Sequence, residues 1–395
     1  MKLLVLSTWC PFPPDNGSKI RAYYLLRALA EAYRTTLISF CPSLDAQQGT
    51  LQNVEFHPVL ASAFRYVQLP RIVKYVSPVP LVFWRIKEME TALVQLQNER
   101  EWDAIVAVQA PAARYALRFC GVPRILDVDT ALSYQLRERY YEQRTRTGRW
   151  RAWLSWFKAY RYERALFQRF HICTVVSPLE VTNVQAMAGA STRVVVLPNG
   201  VDCAHHLPGL AEAQPHTLVY NGALTYSANY DAMQYLLAEI YPLIKYEVPD
   251  VALTITGSTK GVDMSGLRKD ASVHFTGYVE DVRIPVAQSA VCIVPLRQGS
   301  GTRLKILEAM ALGTPVVATC KGAEGLDIAD GEHLLLGDTP AAFAGAVLRV
   351  LSDAALRERL RRNARALVEQ QYDWDVIGAQ SVALLEEAVK GQMNK

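Results

Sequence analysis

The sequence lacks a long hydrophobic run. Uninterrupted apolar stretches such as Ala104–Val108 and Ala290–Val294 are short, whereas a helix that crosses a bilayer needs about 20 apolar residues. The apolar start Met1–Leu6 is ended by Ser7–Pro11 before the hydrophobic region of a secretion signal could form. We therefore expect a cytoplasmic protein that does not cross a membrane.

Cysteine is sparse and charge is nearly balanced. The seven cysteines are scattered without a C-x-x-C pair, which fits reduced thiols and excludes a disulfide scaffold. His205 and His206 are adjacent, so they would point apart rather than at one metal ion. The net charge of +4 does not indicate nucleic-acid binding. We expect no metal, no cofactor and no nucleic-acid partner.

The composition that remains is that of an ordinary globular protein. The chain has 395 residues, 50% of them hydrophobic and 20% charged. At about 100–200 residues per domain, this length predicts two domains with substantial cores.

Short β-branched runs alternate with longer helical patterns, which predicts parallel strands joined by crossover helices, an α/β fold. We expect a first set of strands at Leu3–Ser7, Thr36–Phe40, Val54–His57, Ala104–Val108, Arg124–Val128, Cys173–Val176 and Val194–Leu197. The second set is expected at Thr217–Tyr220, Val251–Thr256, Ser272–Thr276, Cys292–Pro295, Val316–Thr319 and His333–Leu336.

Two sets of strands predict two α/β domains. The turn signature Pro198–Asp202 marks the seam, so we expect domains at 1–200 and 201–373. A final helical pattern, 374–395, either caps the second domain or crosses back to the first.

The segment Val291–Ala318 contains the strongest candidate for a binding site. A strand is followed by a loop with Gly299 and Gly301 and then by a helix expected at Thr302–Leu312. Free backbone N–H groups and the helix dipole at such a terminus favour an anion such as phosphate. Arg303 and Lys305 place positive charge in the first turn, where it opposes the dipole unless an anionic ligand is present.

Glu308 shares a helix face with Gly301 and Lys305 at 100° per residue. A carboxylate about 10 Å from the loop could accept hydrogen bonds from sugar hydroxyls while phosphates sit at the helix terminus. An exposed surface pair of Lys305 and Glu308 explains the spacing equally well.

These residues resemble the donor-binding signature of retaining glycosyltransferases of family 4, which have the GT-B architecture of two Rossmann-like domains. Further similar motifs follow in the family's order at Pro11–Arg21, Asn199–Asp202, Phe275–Val279 and Gln371–Trp374. The last one implies a C-terminal helix that crosses back to the first domain. The resemblance implies donor contacts at Gly17, Gly222, Gly277, Tyr278, Val279, Ser300, Gly301, Thr302 and Glu308. For Gly17, a simple Asn16-Gly17 turn is the alternative.

The sequence departs from the family at two places. Ser300 stands where the family often has the first of two glutamates, which would contact the transferred sugar. Ala223 and Ala228 stand at about the places of an arginine and a lysine that hold the donor diphosphate. Arg303 and Lys305 are therefore the best candidates for the missing charge and for the catalytic groups.

Asp127 and Asp129 lie at the end of a parallel strand, where ligands meet such sheets. Either could contact an acceptor or sugar hydroxyl, although helix capping explains Asp129 equally well. They also spell D-x-D, a metal-binding motif of glycosyltransferases with a different fold. The ordered two-domain motifs disfavour that alternative.

The function implied is transfer of a sugar, with retention, from a nucleotide diphosphate sugar to a sugar or lipid-linked acceptor in cell-surface polysaccharide or glycolipid synthesis. A nucleotide-sugar epimerase or a phosphorylase on the same fold is an alternative. A NAD-dependent oxidoreductase is disfavoured because no G-x-G-x-x-G follows the first strand. An inactive nucleotide-sugar-binding scaffold is an alternative that Ser300 favours.

The segment Arg144–Phe170 carries eight basic residues and one acid, a local charge of +7. Tryptophan, phenylalanine and tyrosine interleave with these cations at helical spacing. This composition suits the headgroup boundary of an anionic membrane. A helix whose aromatic residues pack into the first domain would show the same periodicity.

Overall fold

A computed structural model describes residues 1–41, 51–65, 77, 79–268, 270–299 and 303–393. The chain divides into two compact units. The first contains Met1–Pro198 and Ile377–Lys395, and the second contains Asn199–Val376.

The first unit contains a parallel sheet of seven strands within the described residues, in the order β3-β2-β1-β4-β5-β6-β7. The strands are β1 (Lys2–Ser7), β2 (Arg34–Cys41), β3 (Val54–Leu60), β4 (Ala104–Val108), β5 (Arg124–Asp129), β6 (Ile172–Val175) and β7 (Arg193–Val196). The order reverses between β1 and β4, which pair directly, with Ser7 opposite Val108.

The second unit contains a parallel sheet of six strands within the described residues, in the order β10-β9-β8-β11-β12-β13. These are β8 (Gln214–Asn221), β9 (Ala252–Thr256), β10 (Val273–Gly277), β11 (Ser289–Val294), β12 (Val316–Ala318) and β13 (Leu335–Leu336). Here the order reverses between β8 and β11. Every strand expected from the sequence is present in one of the two sheets, and the α/β fold is confirmed.

Helices connect the strands in both units. Those of the first unit are α1 (Gly17–Ala32), α2 (Lys87–Glu99), α3 (Ala110–Ala116), α4 (Leu132–Glu142), α5 (Arg146–Phe167) and α6 (Pro178–Ala188). Those of the second are α7 (Ser227–Tyr235), α8 (Tyr241–Glu247), α9 (Arg283–Ala287), α10 (Leu304–Ala311), α11 (Pro340–Ser352) and α12 (Ala354–Leu367). Across the described ranges, no helix has both the length and the apolar content of a membrane span.

The central strands are buried on both faces because helices cover both sides of a parallel sheet. All five residues of β4 and the last five of β1 are buried. This explains why the strands read as short continuous apolar runs rather than as an alternating pattern.

The last helix, α13 (Trp374–Met393), starts in the second unit and continues in the first. Leu384, Leu385 and Ala388 are buried in one of the hydrophobic cores of the first unit. The crossing expected from the resemblance is confirmed. Gly378 allows a close approach to α1, because a Cβ atom at this position would lie 2.6 Å from the Cβ of Ala28.

Replacing Gly378 with alanine should destabilise the first unit by about 1–3 kcal/mol, the usual cost of overpacking. The measurement is urea unfolding of the whole chain. Gly391→Ala on the same helix is the matched control, since nothing lies within 4 Å of its added Cβ. Equal stability of the two variants would contradict the close packing described here.

Candidate functional site

Polar side chains gather at the carboxyl ends of β8 and β11, where the strand order of the second sheet reverses. Parallel sheets bind their ligands at such a switch point. Asn221 ends β8 and Gly222 follows it, while Lys305 and Glu308 approach from α10. A Cβ atom on Gly222 would lie 2.6 Å from the Nζ of Lys305, so this close approach requires glycine.

Lys305 is held by two neutral groups. Its Nζ donates to the hydroxyl of Tyr220 over 2.9 Å and to Oδ1 of Asn229 over 3.3 Å. The same Nζ lies 4.1 Å from the centre of the Tyr220 ring, within cation–π range. Burial lowers the pKa of Lys305 to about 7. Among the described residues no carboxylate bonds to this amine, which lies half-buried at the sheet edge.

Glu308 lies one helical turn further along α10. Its Oε2 accepts a hydrogen bond of 2.9 Å from Nδ2 of Asn221. Burial raises the pKa of Glu308, while the charge of Lys305 and the Asn221 hydrogen bond act in the opposite direction. Glu308 therefore points at the end of β8, and an exposed surface pair with Lys305 is wrong.

The loop before α10 differs from the sequence expectation. The helix begins at Leu304 rather than at Thr302, and Arg303 occupies its N-cap position. Arg303 is 7% exposed, and its Nη2 donates to the carbonyl of Gly299 over 2.6 Å. Gly299 has a φ of +98°, which favours glycine. Ser300, Gly301 and Thr302 lie outside the described residues.

The alanines noted in the sequence occupy the turn after β8 and the start of α7. Ala228 is buried, and the carbonyl of Ala223 accepts a hydrogen bond of 2.8 Å from Nδ2 of Asn229. Asn229, which no motif in the sequence marks, therefore links this turn to Lys305.

The end of β10 forms a second part of the same sheet edge. Gly277 has a φ of +69°, and its carbonyl accepts a hydrogen bond of 2.9 Å from the amide of Gly257 after β9. The next residue, Tyr278, is 78% exposed, while Val279 is half-buried. This loop therefore presents the solvent-exposed ring of Tyr278 at the carboxyl edge of the second sheet.

In the first unit, Asp127 is not available to a sugar. It is 2% exposed, and its two carboxylate oxygens accept hydrogen bonds of 2.9 and 2.6 Å from the Arg21 guanidinium. Thr174 donates a further bond of 2.7 Å to Oδ1. The acceptor contact expected for Asp127 is therefore wrong: this side chain neutralises the buried Arg21, a partner 106 residues away that sequence pattern did not reveal.

Asp129 is half-buried and has a φ of +59°. Burial raises the pKa of Asp129 to about 6, against the lowering effect of Arg21. Asp129 does not cap α4: the first two amides of that helix, from Leu132 and Ser133, donate to Glu163 over 2.8 and 2.9 Å. Capping therefore does not explain Asp129.

The hypothesis that Asp127 and Asp129 form a metal-binding D-x-D motif is also wrong, because the guanidinium of Arg21 bonds to both carboxylate oxygens of Asp127. Throughout the part of the chain that the structure describes, no group of three or more His, Cys, Asp or Glu could hold a metal ion.

Gly17 is the first residue of α1, and Asn16 caps that helix, accepting from the amide of Lys19 over 3.2 Å. The Asn16-Gly17 pair thus starts a helix rather than a free turn. A donor or acceptor contact of Gly17 stays a prediction.

Two parallel Rossmann-like sheets in one chain define the GT-B fold. The solved structure of sucrose-phosphate synthase from Thermosynechococcus elongatus superposes with a TM-score of 0.75 at 18% identity, covering 99% of this chain and 100% of that one. Anabaena HepE in complex with UDP and glucose gives a TM-score of 0.68 at 18% identity, covering 98% and 100%. At these identities the likeness concerns the fold alone.

Family models identify the chain further. Residues 15–205 match Glycosyltransferase Family 4, and residues 215–353 match Glycosyl transferases group 1. Together the two matches cover most of the sequence, and the chain belongs to the family 4, group 1 glycosyltransferases.

A curated relative is the phosphatidyl-myo-inositol mannosyltransferase of Mycobacterium tuberculosis, 33% identical over 215 residues. The match covers 51% of this chain and 56% of the relative. The chain thus spans about half the length of the curated relatives it matches.

Proposed function

We propose that the protein transfers a sugar from a nucleotide diphosphate sugar to an acceptor hydroxyl, with retention at the anomeric carbon. The observation that carries the proposal is Lys305: a cation at the switch point of the second sheet, held by neutral partners. Lys305 is half-buried, and withdrawing a cation from water without a carboxylate partner costs free energy unless an anionic ligand compensates for it. The family and the fold favour a nucleoside diphosphate as that ligand.

Each part of the donor has a candidate partner in the second unit. Lys305 and Arg303 bind the diphosphate, close to the backbone at Gly222. Glu308, oriented by Asn221, accepts hydrogen bonds from the ribose hydroxyls. Tyr278, between Gly277 and Val279, contacts the base. The predicted contacts of Ser300, Gly301 and Thr302 with the donor belong to the same proposal.

The chemistry follows from the position of these cations. The bond between the anomeric carbon and the phosphate oxygen breaks, and the acceptor oxygen bonds to that carbon on the same face. The acceptor proton passes to the departing phosphate oxygen. Arg303 and Lys305 stabilise the negative charge that grows on the diphosphate as the bond breaks, the type of electrostatic stabilisation that usually dominates catalysis. In the first unit, Asp129 and Gly17 are the proposed contacts for acceptor or sugar.

An assay of nucleoside diphosphate release tests the proposal. The protein is incubated with a panel of nucleotide sugars, with and without candidate sugar and lipid-linked acceptors. Release should require an acceptor, and the product should keep the donor's anomeric configuration by NMR. Isomerised donor without acceptor would instead indicate an epimerase, and donor binding without turnover across the panel would indicate a scaffold.

Glu308→Gln should weaken donor binding by about 1–3 kcal/mol, because it replaces a charged acceptor of ribose hydrogen bonds. Turnover at saturating donor should remain measurable, since the carboxylate takes no part in bond breaking. The exposed Glu358→Gln on α12 is the matched control and should change neither parameter. Unchanged affinity with a collapsed rate would show that Glu308 acts in the chemistry instead.

We further propose a lipid-linked acceptor, because α5 presents an exposed aromatic stripe. Trp150, Trp153 and Phe157 are 62%, 42% and 43% exposed, and the last two rings stack with centres 5.5 Å apart. At 100° per residue Arg146 and Arg161 lie on the same helix face. The opposite face, with Ala152, Ala159 and Leu166, is buried. Aromatic rings beside arginines suit an anionic lipid surface.

The relative named above supports the same class of acceptor, because its name specifies mannosyl transfer to phosphatidyl-myo-inositol. We therefore propose a role in glycolipid or cell-surface polysaccharide synthesis, at the cytoplasmic face of a membrane.

Liposome co-sedimentation tests whether the aromatic stripe of α5 binds anionic membranes. The wild-type protein should bind anionic vesicles at low salt, bind neutral vesicles weakly, and dissociate as salt rises. A triple variant in which Trp150, Trp153 and Phe157 are each replaced by serine should lose this binding. Tyr246→Ser is the control, because Tyr246 is 83% exposed in the second unit. Equal recovery on both vesicle types, or no binding to either, would contradict the proposal.

A further inference from the structure

Tyr220 lies under the proposed diphosphate site and is fully buried. Its hydroxyl donates to Oδ1 of Asn229 over 2.7 Å and accepts from the Nζ of Lys305. The directions of these bonds are fixed, because Nδ2 of Asn229 already donates to the carbonyl of Ala223. The amide oxygen of Asn229 therefore faces Tyr220 and Lys305, and both neutral groups orient the amine at Gly222.

We propose that Tyr220 and Asn229 are positioning residues that hold Lys305 beside Gly222 as a proton-accepting amine, so that binding of a nucleoside diphosphate is coupled to uptake of a proton at Nζ. This inference rests on the proposed function for the identity of the ligand. It adds a specific role for two residues that do not themselves touch the donor.

Charged and titratable side chains that act on Lys305 are Cys292 of β11, Glu308 of α10 and Arg303, which directly precedes α10. Burial is the main reason why the pKa of Lys305 falls to about 7, and Arg303 lowers it further. Glu308 of α10 acts in the opposite direction, and Cys292 of β11 would do so only as a thiolate. Burial keeps the thiol of Cys292 neutral by raising its pKa to about 12, and Glu308 bonds to Asn221 instead of Lys305.

Proton uptake follows from linkage. With a pKa of about 7, only about a tenth of Lys305 is protonated at pH 8 in the free protein. A bound diphosphate places negative charge beside the amine and favours its protonated form. Binding at pH 8 should therefore take up close to one proton per molecule, and uptake should fall at pH 6, where the amine is already charged.

Calorimetry of UDP binding to the whole chain measures this directly. Titrations at pH 8 in Tris and in HEPES, which differ in ionisation enthalpy, give the number of protons exchanged. Wild-type protein should show uptake of roughly 0.5–1 proton more than Lys305→Arg, whose guanidinium stays charged. That variant should still bind UDP within about tenfold of wild type, since it keeps the positive charge. Equal proton exchange in the two proteins would overturn the inference.

The positioning role is tested by coupling to Lys305. Tyr220→Phe keeps the ring and removes the hydroxyl, and it should weaken UDP binding by about 5- to 20-fold. In a Lys305→Met background the same change should have little further effect. Tyr241→Phe is the matched control, because Tyr241 is also buried in this unit and its hydroxyl bonds to Val251 and Ser272. Full additivity of Tyr220→Phe with Lys305→Met would show a merely structural role.

Asn229→Asp gives an independent check. A carboxylate at this position should pair with Lys305 and keep it protonated in the free protein, which removes the proton uptake and weakens UDP binding by repulsion. Persistence of full uptake in this variant would contradict the inference.

The outcomes separate the two proposals. UDP binding without uptake overturns the coupling and leaves sugar transfer standing, whereas uptake without acceptor-dependent release overturns the transfer. Absence of binding to UDP, GDP, ADP and dTDP would overturn both.

Discussion

The cost of burying positive charge governs both units of this protein. In the first, Arg21 is fully buried and is neutralised by Asp127, with further bonds to the carbonyls of Leu197 and Pro198. In the second, Lys305 is held by a phenol and an amide, neither of which carries charge. Arg21 has its own carboxylate, so its charge is compensated within the fold, whereas the half-buried Lys305 bonds only to neutral groups and is poised for an anion from outside. The same physical cost thus distinguishes a structural residue from a candidate ligand-binding residue.

The separation of interacting residues along the sequence explains which parts of the fold and of the site could be predicted. The strands were predictable because a parallel strand buried on both faces is a short apolar run between turns, a purely local signal. The position of Lys305 and Glu308 on one helix face could also be predicted, because it depends only on their spacing within one helix. The pairing of Arg21 with Asp127 was not, since the two residues are 106 positions apart and only the order of the strands brings them together. The roles of Tyr220 and Asn229 were hidden for the same reason.

The position of the positive charge in the second unit also has a structural explanation. The turn after β8 lacks a cation and is instead closed by Asn229, which bonds to the backbone of Ala223. That bond leaves the amide oxygen of Asn229 facing α10, from which Lys305 reaches the turn. Gly222 leaves the necessary space, since any side chain there would meet the amine. The turn after β8 therefore needs no cation of its own, because Gly222 lets Lys305 of α10 bring the positive charge to it.

Backbone conformation points to the corresponding edge of the first unit. Gln109 and Asp129 both have positive φ, at +70° and +59°. Gln109 directly follows β4, where the strand order reverses, and Asp129 is the last residue of the neighbouring strand β5. Such conformations cost free energy in residues other than glycine and persist only where the surrounding structure imposes them. Here Asp127 supplies part of that constraint, because its carbonyl accepts a hydrogen bond of 2.7 Å from the amide of Gln109 while its side chain holds Arg21. The buried ion pair thus fixes the backbone from which Asp129 is presented, and this makes Asp129, rather than Asp127, the carboxylate to examine for contact with an acceptor.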